Sequence, residues 1–414
     1  MSADRSRSHR SRSVRRLSAR PDVDRLDPDR LRAELQARDG PARGAPAAMR
    51  VVRAPGRVNV IGEHTDYNDG FVMPAAIGLE IRMAYLPTDD RHVQITLDET
   101  RRTSGFDLDA IGPATGRWID YVAGTAWSLA AAGASVRGFR GFLASSLPRG
   151  AGLSSSAALE LVSAWALAGD RPPTLDGLGL ARVAQRAEND YVGVQSGLMD
   201  QFASSLGVAG AGLFLDCRSL DWHPVRLPLA EIALVVCHSG SARRLERSAY
   251  NQRRAECERA AATIAKHEPG VRSLRDVDPA MLARYRDGLD PVAERRARHV
   301  VEENLRVLAT EDALASGDLA QVGRLFAASH DSLRDLFEVS SPELDALVDI
   351  ARLTDGVVAA RLTGAGFGGS TINLVRHDAI AAFRAAVERD YPARTGLRPT
   401  VHEVDSVDGA GLVV

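Results

Sequence analysis

Between two glycines the chain reads Gly56-Arg57-Val58-Asn59-Val60-Ile61-Gly62-Glu63-His64-Thr65-Asp66-Tyr67-Asn68-Asp69-Gly70. A buried core strand would not carry Arg57, Glu63 and Asp66 without partners, because unpaired buried charge is very costly. A solvated surface loop has no need of glycine at 56, 62 and 70. The run therefore reads as a loop-like pocket wall that grips a polar ligand with many hydroxyls. Whatever folds around it must present a cleft.

The rest of the chain bounds that cleft. With 414 residues there is room for two domains of ordinary size. A net charge of -2 gives no electrostatic case for binding nucleic acid or a membrane surface. Apolar stretches such as 157–168 are broken by Glu160 or Ser163 and are too short to span a bilayer. Cys217, Cys237 and Cys257 match neither a zinc motif nor a disulfide framework, so a reducing cytoplasm is the expected compartment. Lys266 is the one lysine, and it follows no glycine-rich run. A Walker-type loop or a protein-kinase lysine is thereby excluded, and a nucleotide must be held by another device.

Residues 1–20 alternate Arg and Ser and cannot bury enough apolar surface to fold. They read as a disordered extension, with a basic nucleic-acid arm or a transit-like peptide as alternatives. Asp27-Pro28 with Leu31 and Leu35 suggests a short capped helix before Gly40. From Met49 the chain becomes globular. Strand patterns cover 51–54, 81–85, 92–97, 139–144, 232–237, 357–362 and 371–375. Helical patterns cover 118–131, 154–168, 180–191, 200–206, 242–265, 293–308, 319–334 and 378–388, before a final strand. This irregular mixture argues for α+β.

A second run, from Pro148 to Ala158, lies between a strand and a helix and contains Gly150, Gly152 and three consecutive serines. Glycines let backbone approach an anion, and the free amides of a helix start point at it, so a phosphate cradle forms without lysine. The plainer alternative is a serine cap on a glycine turn. Glu188 is either a solvated helix-face carboxylate or an oxygen ligand for a hard cation. Asp200, at a helix start beside Gly197, could cap the helix. If Arg57 shares its cleft, Asp200 could instead act as a base, since a nearby cation favours a carboxylate's charged form. Glu63, His64 and Asp66 do not have the spacing of a helical zinc site, and carboxylates accept paired bonds from vicinal hydroxyls. Gly364-Ala365-Gly366-Phe367-Gly368-Gly369 satisfies G-x-G-x-x-G, yet a strand and not a helix follows it.

The first run resembles the sugar-binding signature of galactokinases, within the GHMP small-molecule kinases. The likeness continues through Pro148–Ala158, Gly197–Phe202, Ser329–Leu333 and Leu362–Gly369, in the family's order. It departs at Ser370, where the family pattern usually has a cysteine or similar small residue. The resemblance implies a two-domain GHMP-kinase-like α+β fold with the active site in the interdomain cleft. It further implies an extension over 1–48, an N-terminal domain over 49–222 and a C-terminal domain over 223–414. ATP and Mg²⁺ would be required. By the same resemblance, Asp200 is the base and Arg57 the charge-stabilising partner. Glu63, His64, Thr65, Asp66, Gly197 and Tyr250 would bind sugar. Gly150, Ala151, Gly152, Leu153, Ser154, Ser155 and Ser156 would hold ATP, and Ser156 with Glu188 would hold the metal. His330 falls in a family signature without a derivable chemical role. A monomeric, cytoplasmic galactose 1-kinase is expected. The rivals are a kinase for N-acetylgalactosamine or arabinose, a non-catalytic sensor of galactose and ATP, and a nucleic-acid-binding arm.

Overall fold

The computed structural model describes residues 23–39, 49–169, 175–241 and 246–413. The Arg/Ser-rich run at 1–20 lies outside the described residues. Helix α1 (Pro28–Asp39) comes first, then β1 (Arg50–Asn59), β2 (Phe71–Val72), β3 (Pro74–Thr88), β4 (His92–Leu97) and β5 (Thr103–Asp107). Next come α2 (Ile119–Ala131), β6 (Gly138–Ser145), α3 (Ser155–Leu167), α4 (Gly177–Arg186), a π-helical turn at Ala187–Val192 and α5 (Met199–Leu206). Strands β7 (Ala211–Asp216), β8 (Trp222–Arg226) and β9 (Ile232–His238) lead into α6 (Glu246–Ala265), α7 (Pro279–Tyr285), α8 (Pro291–Ser316), α9 (Leu319–Asp335) and α10 (Pro342–Arg352). Strands β10 (Val357–Thr363) and β11 (Ser370–Arg376), helix α11 (Ile380–Thr395), and strands β12 (Thr400–Val404) and β13 (Gly411–Val413) complete an α+β architecture.

The first sheet has the order β13-β1-β3-β6-β4-β5, the second β10-β11-β9-β12, and a small third one β2-β7-β8. Two features depart from a clean cut at 222/223. That point falls inside β8, and β13 returns to pair with β1, Val413 opposite Val51.

Helix α1 starts where Asp27 accepts the Arg30 N–H at 2.8 Å, with proline at the first helical position. Leu31 and Leu35 are buried with Ala84 of β3 and Phe142 of β6. Burying each leucine stabilises by about 1.5–3 kcal/mol. This part of the expected extension is therefore packed against the first sheet.

The run at 56–70 differs from expectation at its start. Strand β1 continues through Arg57 to Asn59, so the arginine is carried on a strand, not a loop. The reason is a register slip against β3 between Pro55 and Gly56. A side chain at Gly56 would press on Leu153 O at 2.5 Å, so only glycine allows this strand to meet the turn before α3. Beyond Asn59 the chain does leave the sheet. Gly62 there has φ +101°, a conformation costly for any residue with a Cβ.

Candidate active site

A cavity of about 330 Å³ opens where β1, the turn before α3, the π-helical turn, the start of α5 and the glycine turn after β10 converge. Its size suits a small ligand. Of the residues expected at the site, all but Thr65 and Ala151 line it. Thr65 is fully buried, and its single hydroxyl hydrogen is shared between the carbonyls of Gly62 (2.8 Å) and Phe71 (2.6 Å). Thr65 shapes the loop and does not reach the cavity. Ala151 is buried behind the turn, its carbonyl accepting the Ser370 hydroxyl at 2.8 Å. The sequence departure at Ser370 is thus a strut between the two glycine turns.

Arg57 and Asp200 meet. The guanidinium places Nε at 2.8 Å and Nη2 at 2.6 Å from the same oxygen, Asp200 Oδ1, and Nη1 donates to Gly152 O at 2.6 Å. Among the described residues no donor reaches Asp200 Oδ2, and the side chain is about a quarter exposed, at 24%. One oxygen is therefore held rigidly, and the other is free to accept a proton from a ligand in the cavity.

The turn Gly150–Ser154 is built from left-handed residues: Gly150 (φ 68°), Gly152 (φ 73°) and Ser154 (φ 60°). Ser154 occupies the N-cap position, yet its hydroxyl makes no cap bond, unlike the plain serine cap, and is buried with no partner among the described residues. The first helical bond is Ala158 N to Ser154 O, so the amides at the start of α3 are left free. An orphaned hydroxyl beside free amides at the positive end of a helix fits an anionic phosphate.

Glu188 lies in the π-helical turn, where a regular helix was expected, and such turns frequently mark functional sites. Burial pushes its carboxyl up, against hydrogen bonds from Ser196, Gln201 and Ser156. The Ser196 hydroxyl (2.6 Å) and Gln201 Nε2 (2.9 Å) both serve Oε2. One carboxylate oxygen and the Ser156 hydroxyl form an oxygen donor set that suits Mg²⁺, which takes one or two protein groups with phosphate and water.

The residues expected to bind sugar divide. Asp66 lines the cavity, and desolvation followed by the nearby Asp200 charge raises its carboxyl to about 6. A Cβ on Gly197 would overlap that carboxylate, so the absence of a side chain at 197 makes room for it. Tyr250 and Tyr67 pack edge-on at 5.4 Å, and Tyr250 also sits 5.6 Å from the His64 ring. His64 differs from expectation, because both ring nitrogens are used. Nε2–H donates to Ala365 O at 3.2 Å and Nδ1 accepts the Tyr67 hydroxyl at 2.8 Å. Burial keeps the ring neutral, with its pKa lowered to about 3. Glu63 accepts from Gly364 N–H at 2.9 Å on Oε1, and from Asn59 Nδ2 at 2.9 Å and the Arg361 guanidinium on Oε2. A carboxylate has about four acceptor positions, so Oε1 retains one for a hydroxyl.

The model of the galactokinase galactose-binding signature matches residues 43–87, that of the GHMP kinases N terminal domain 120–208, and that of the GHMP kinases C terminal domain 310–393. The galactokinase of Roseiflexus sp. (strain RS-1) is 44% identical over 364 residues, 88% of this chain and 93% of that protein. The galactokinase of Chloroflexus aurantiacus is 47% identical over 355 residues, 85% of this chain and 91% of that protein. The chain belongs to the galactokinase family of the GHMP kinases.

Lactococcus lactis galactokinase, solved in complex with galactose, superposes with a TM-score of 0.86 at 34% identity, covering 92% of this chain and 99% of that one. Methanococcus jannaschii mevalonate kinase shares the fold, with a TM-score of 0.61 at 17% identity over 89% of this chain and 100% of its own.

Sequence reasoning missed the layer that braces the galactokinase signature from behind. Arg361 on β10 is fully buried, and its Nη1 donates to Asn59 O (3.0 Å) and Val60 O (2.8 Å) while Nη2 reaches Glu63. Helix α8 adds three residues. His299 Nε2–H donates to Glu63 O at 3.1 Å, Glu303 Oε1 accepts the Gly62 N–H at 3.1 Å, and Asn304 Oδ1 accepts the Phe71 N–H at 2.9 Å. Ser332 and Ser329 of α9 hold His299 Nδ1 (2.8 Å) and Glu303 Oε1 (2.7 Å) in turn. The Ser329–Leu333 signature therefore supports the supports. Within it, His330 accepts the Leu362 N–H at 3.4 Å and pairs with Asp345 at 3.3 Å, a structural place. The signal available in sequence was the lone Arg361 inside an apolar strand.

Proposed function

We propose that this protein transfers the terminal phosphoryl group of ATP to the anomeric hydroxyl of D-galactose, giving galactose 1-phosphate. The observation that carries the reading is the Arg57–Asp200 pair facing a cavity shared by the signature loop and an amide-lined turn. Galactose hydroxyls would be taken by Asp66, by the remaining position on Glu63 and by Tyr250, with Gly197 making space. The triphosphate would lie on the amides of 150–156 and the orphaned Ser154 hydroxyl. Its nucleoside would enter an adjoining cavity of about 620 Å³, which shares Ser155 with the first.

Phosphoryl transfer asks for positioning, charge neutralisation and a group that orients or deprotonates the nucleophile. Asp200 Oδ2 would accept the proton of the anomeric hydroxyl, which is more acidic than a simple alcohol. Arg57 would fix the carboxylate in place and tie it, through Gly152, to the phosphate turn. Ser156 and Glu188 would hold Mg²⁺, which supplies charge neutralisation at the phosphates. Cytoplasmic action agrees with three free cysteines, two of them buried. Among the described residues no helix is long and apolar enough to cross a membrane.

The deciding experiment is an ATP-consumption screen over hexoses, amino sugars and pentoses with mass detection of the product. Galactose should be turned over with the highest kcat/KM. A clear preference for N-acetylgalactosamine or arabinose would replace the substrate. Binding of galactose and ATP with no product would favour a sensor.

A further inference from the structure

We infer that Arg25, on the turn leading into α1, is a nucleotide-binding residue that packs its guanidinium plane against the base. The inference rests on the ATP reading above. Arg25 lines the mouth of the 620 Å³ cavity together with Trp118, Leu97, Leu143, Leu159 and Arg149. That wall joins apolar side chains and an aromatic ring to serines and charged groups; Arg149 is paired with Glu99 at 2.6 Å, which leaves Arg25 as the cation placed to face a base.

The guanidinium is held in place by its edge. Nε and Nη2 both lie 3.2 Å from Asp98 Oδ2, a carboxylate that is itself buried. Arg30 of α1 takes the other oxygen of Asp98 at 2.7 Å and donates to the Arg25 carbonyl at 2.8 Å, fixing backbone and side chain together. An arginine pinned along one edge keeps its plane and Nη1 for a ligand, and planar stacking is what distinguishes arginine from lysine. The side chain remains 37% exposed, consistent with a rim position. Arg30 and Arg101 share Asp98 and also pair with Glu34, so three arginines face two carboxylates and one positive charge is left over beside the path of a polyanion. Helix α1 thus links the first described segment of the chain to the nucleotide cavity.

The test uses the full chain and isothermal titration with ATP, with inorganic tripolyphosphate and with galactose. Arg25→Ala should weaken ATP binding about threefold to thirtyfold, the range of a cation over an aromatic system. Binding of tripolyphosphate and galactose should be unchanged. Arg25→Lys, which keeps charge but not the plane, should also bind ATP more weakly than wild type. Unfolding midpoints of both variants check that the fold is intact. Unchanged ATP affinity in Arg25→Ala, equal losses for ATP and tripolyphosphate, or full rescue by lysine would each overturn the inference. Failure of the wild-type protein to bind ATP would instead overturn the kinase reading beneath it.

Discussion

Replacing Asp200 by asparagine separates the base from its scaffold, because Arg57 uses only one of the two carboxylate oxygens. Both guanidinium contacts, at 2.8 and 2.6 Å, fall on Oδ1. An asparagine with its amide oxygen there keeps both. The flipped amide would set its NH₂ against two N–H donors and forfeit two charge-assisted bonds, each worth about 1.5–3 kcal/mol, so the first orientation wins. At the position of Oδ2 the variant then carries a donor where the wild type carries an acceptor. What is lost is proton acceptance, which contributes about 10²–10⁴ in rate, or roughly 2.7–5.4 kcal/mol of barrier. Asp200→Asn should therefore lower kcat by about two to four decades while the dissociation constant for galactose stays within a few-fold. Steady-state ADP release gives the first quantity and sugar titration without nucleotide the second. A kcat within tenfold of wild type would refute the base assignment. A galactose affinity that falls in step with kcat would show that Asp200 mainly holds the sugar.

The remaining predictions test the surroundings of that pair. Gly197→Ala forces the Asp66 carboxylate out of its place, so KM for galactose should rise about 10–150-fold, the loss of one hydrogen bond to a charged group; an unchanged KM would remove Asp66 from the sugar site. Because the Asp66 carboxyl is raised to about 6, it is charged above that pH and neutral below it, so galactose affinity should fall as pH drops from 7 to 5. Asp66→Asn should flatten that profile, and a wild-type profile already flat over this window would contradict the role. Arg361→Met leaves Glu63 buried without its cation and should cost about 3–5 kcal/mol in urea unfolding, with part recovered by adding Glu63→Gln; a loss below 1 kcal/mol would mean the pair is not the brace described.

What was legible in the sequence is what is encoded locally. The turn at 150–156 could be read because glycines, serines and a helix start act over a few residues, and its left-handed φ angles need no distant partner. At 364–369 strand β11 follows the glycines, as the strand pattern there expects, and not the helix that a dinucleotide turn requires. Arg57 lines the cavity beside Asp200, and strand pairing with β3, not loop character, carries it there. The bracing layer was invisible because its partners are far apart along the chain, with Glu303 meeting Gly62 across 241 residues. His299 and Glu303 sit four residues apart, and nothing in the amphipathic pattern of α8 distinguishes a polar residue facing a core from one facing water. The same limit explains Glu63, His64 and Asp66. Neighbours in sequence, they read as one hydroxyl-gripping set, yet with His64 in the left-handed region (φ 63°) their polar atoms find different partners. All three line the cavity, but the ring nitrogens of His64 and most of the Glu63 carboxylate are also spent on Tyr67, on β10 and on the glycine turn after it. A run expected to grip a ligand must also be held, and here the same short run supplies both cavity-lining groups and the bonds that tie it down.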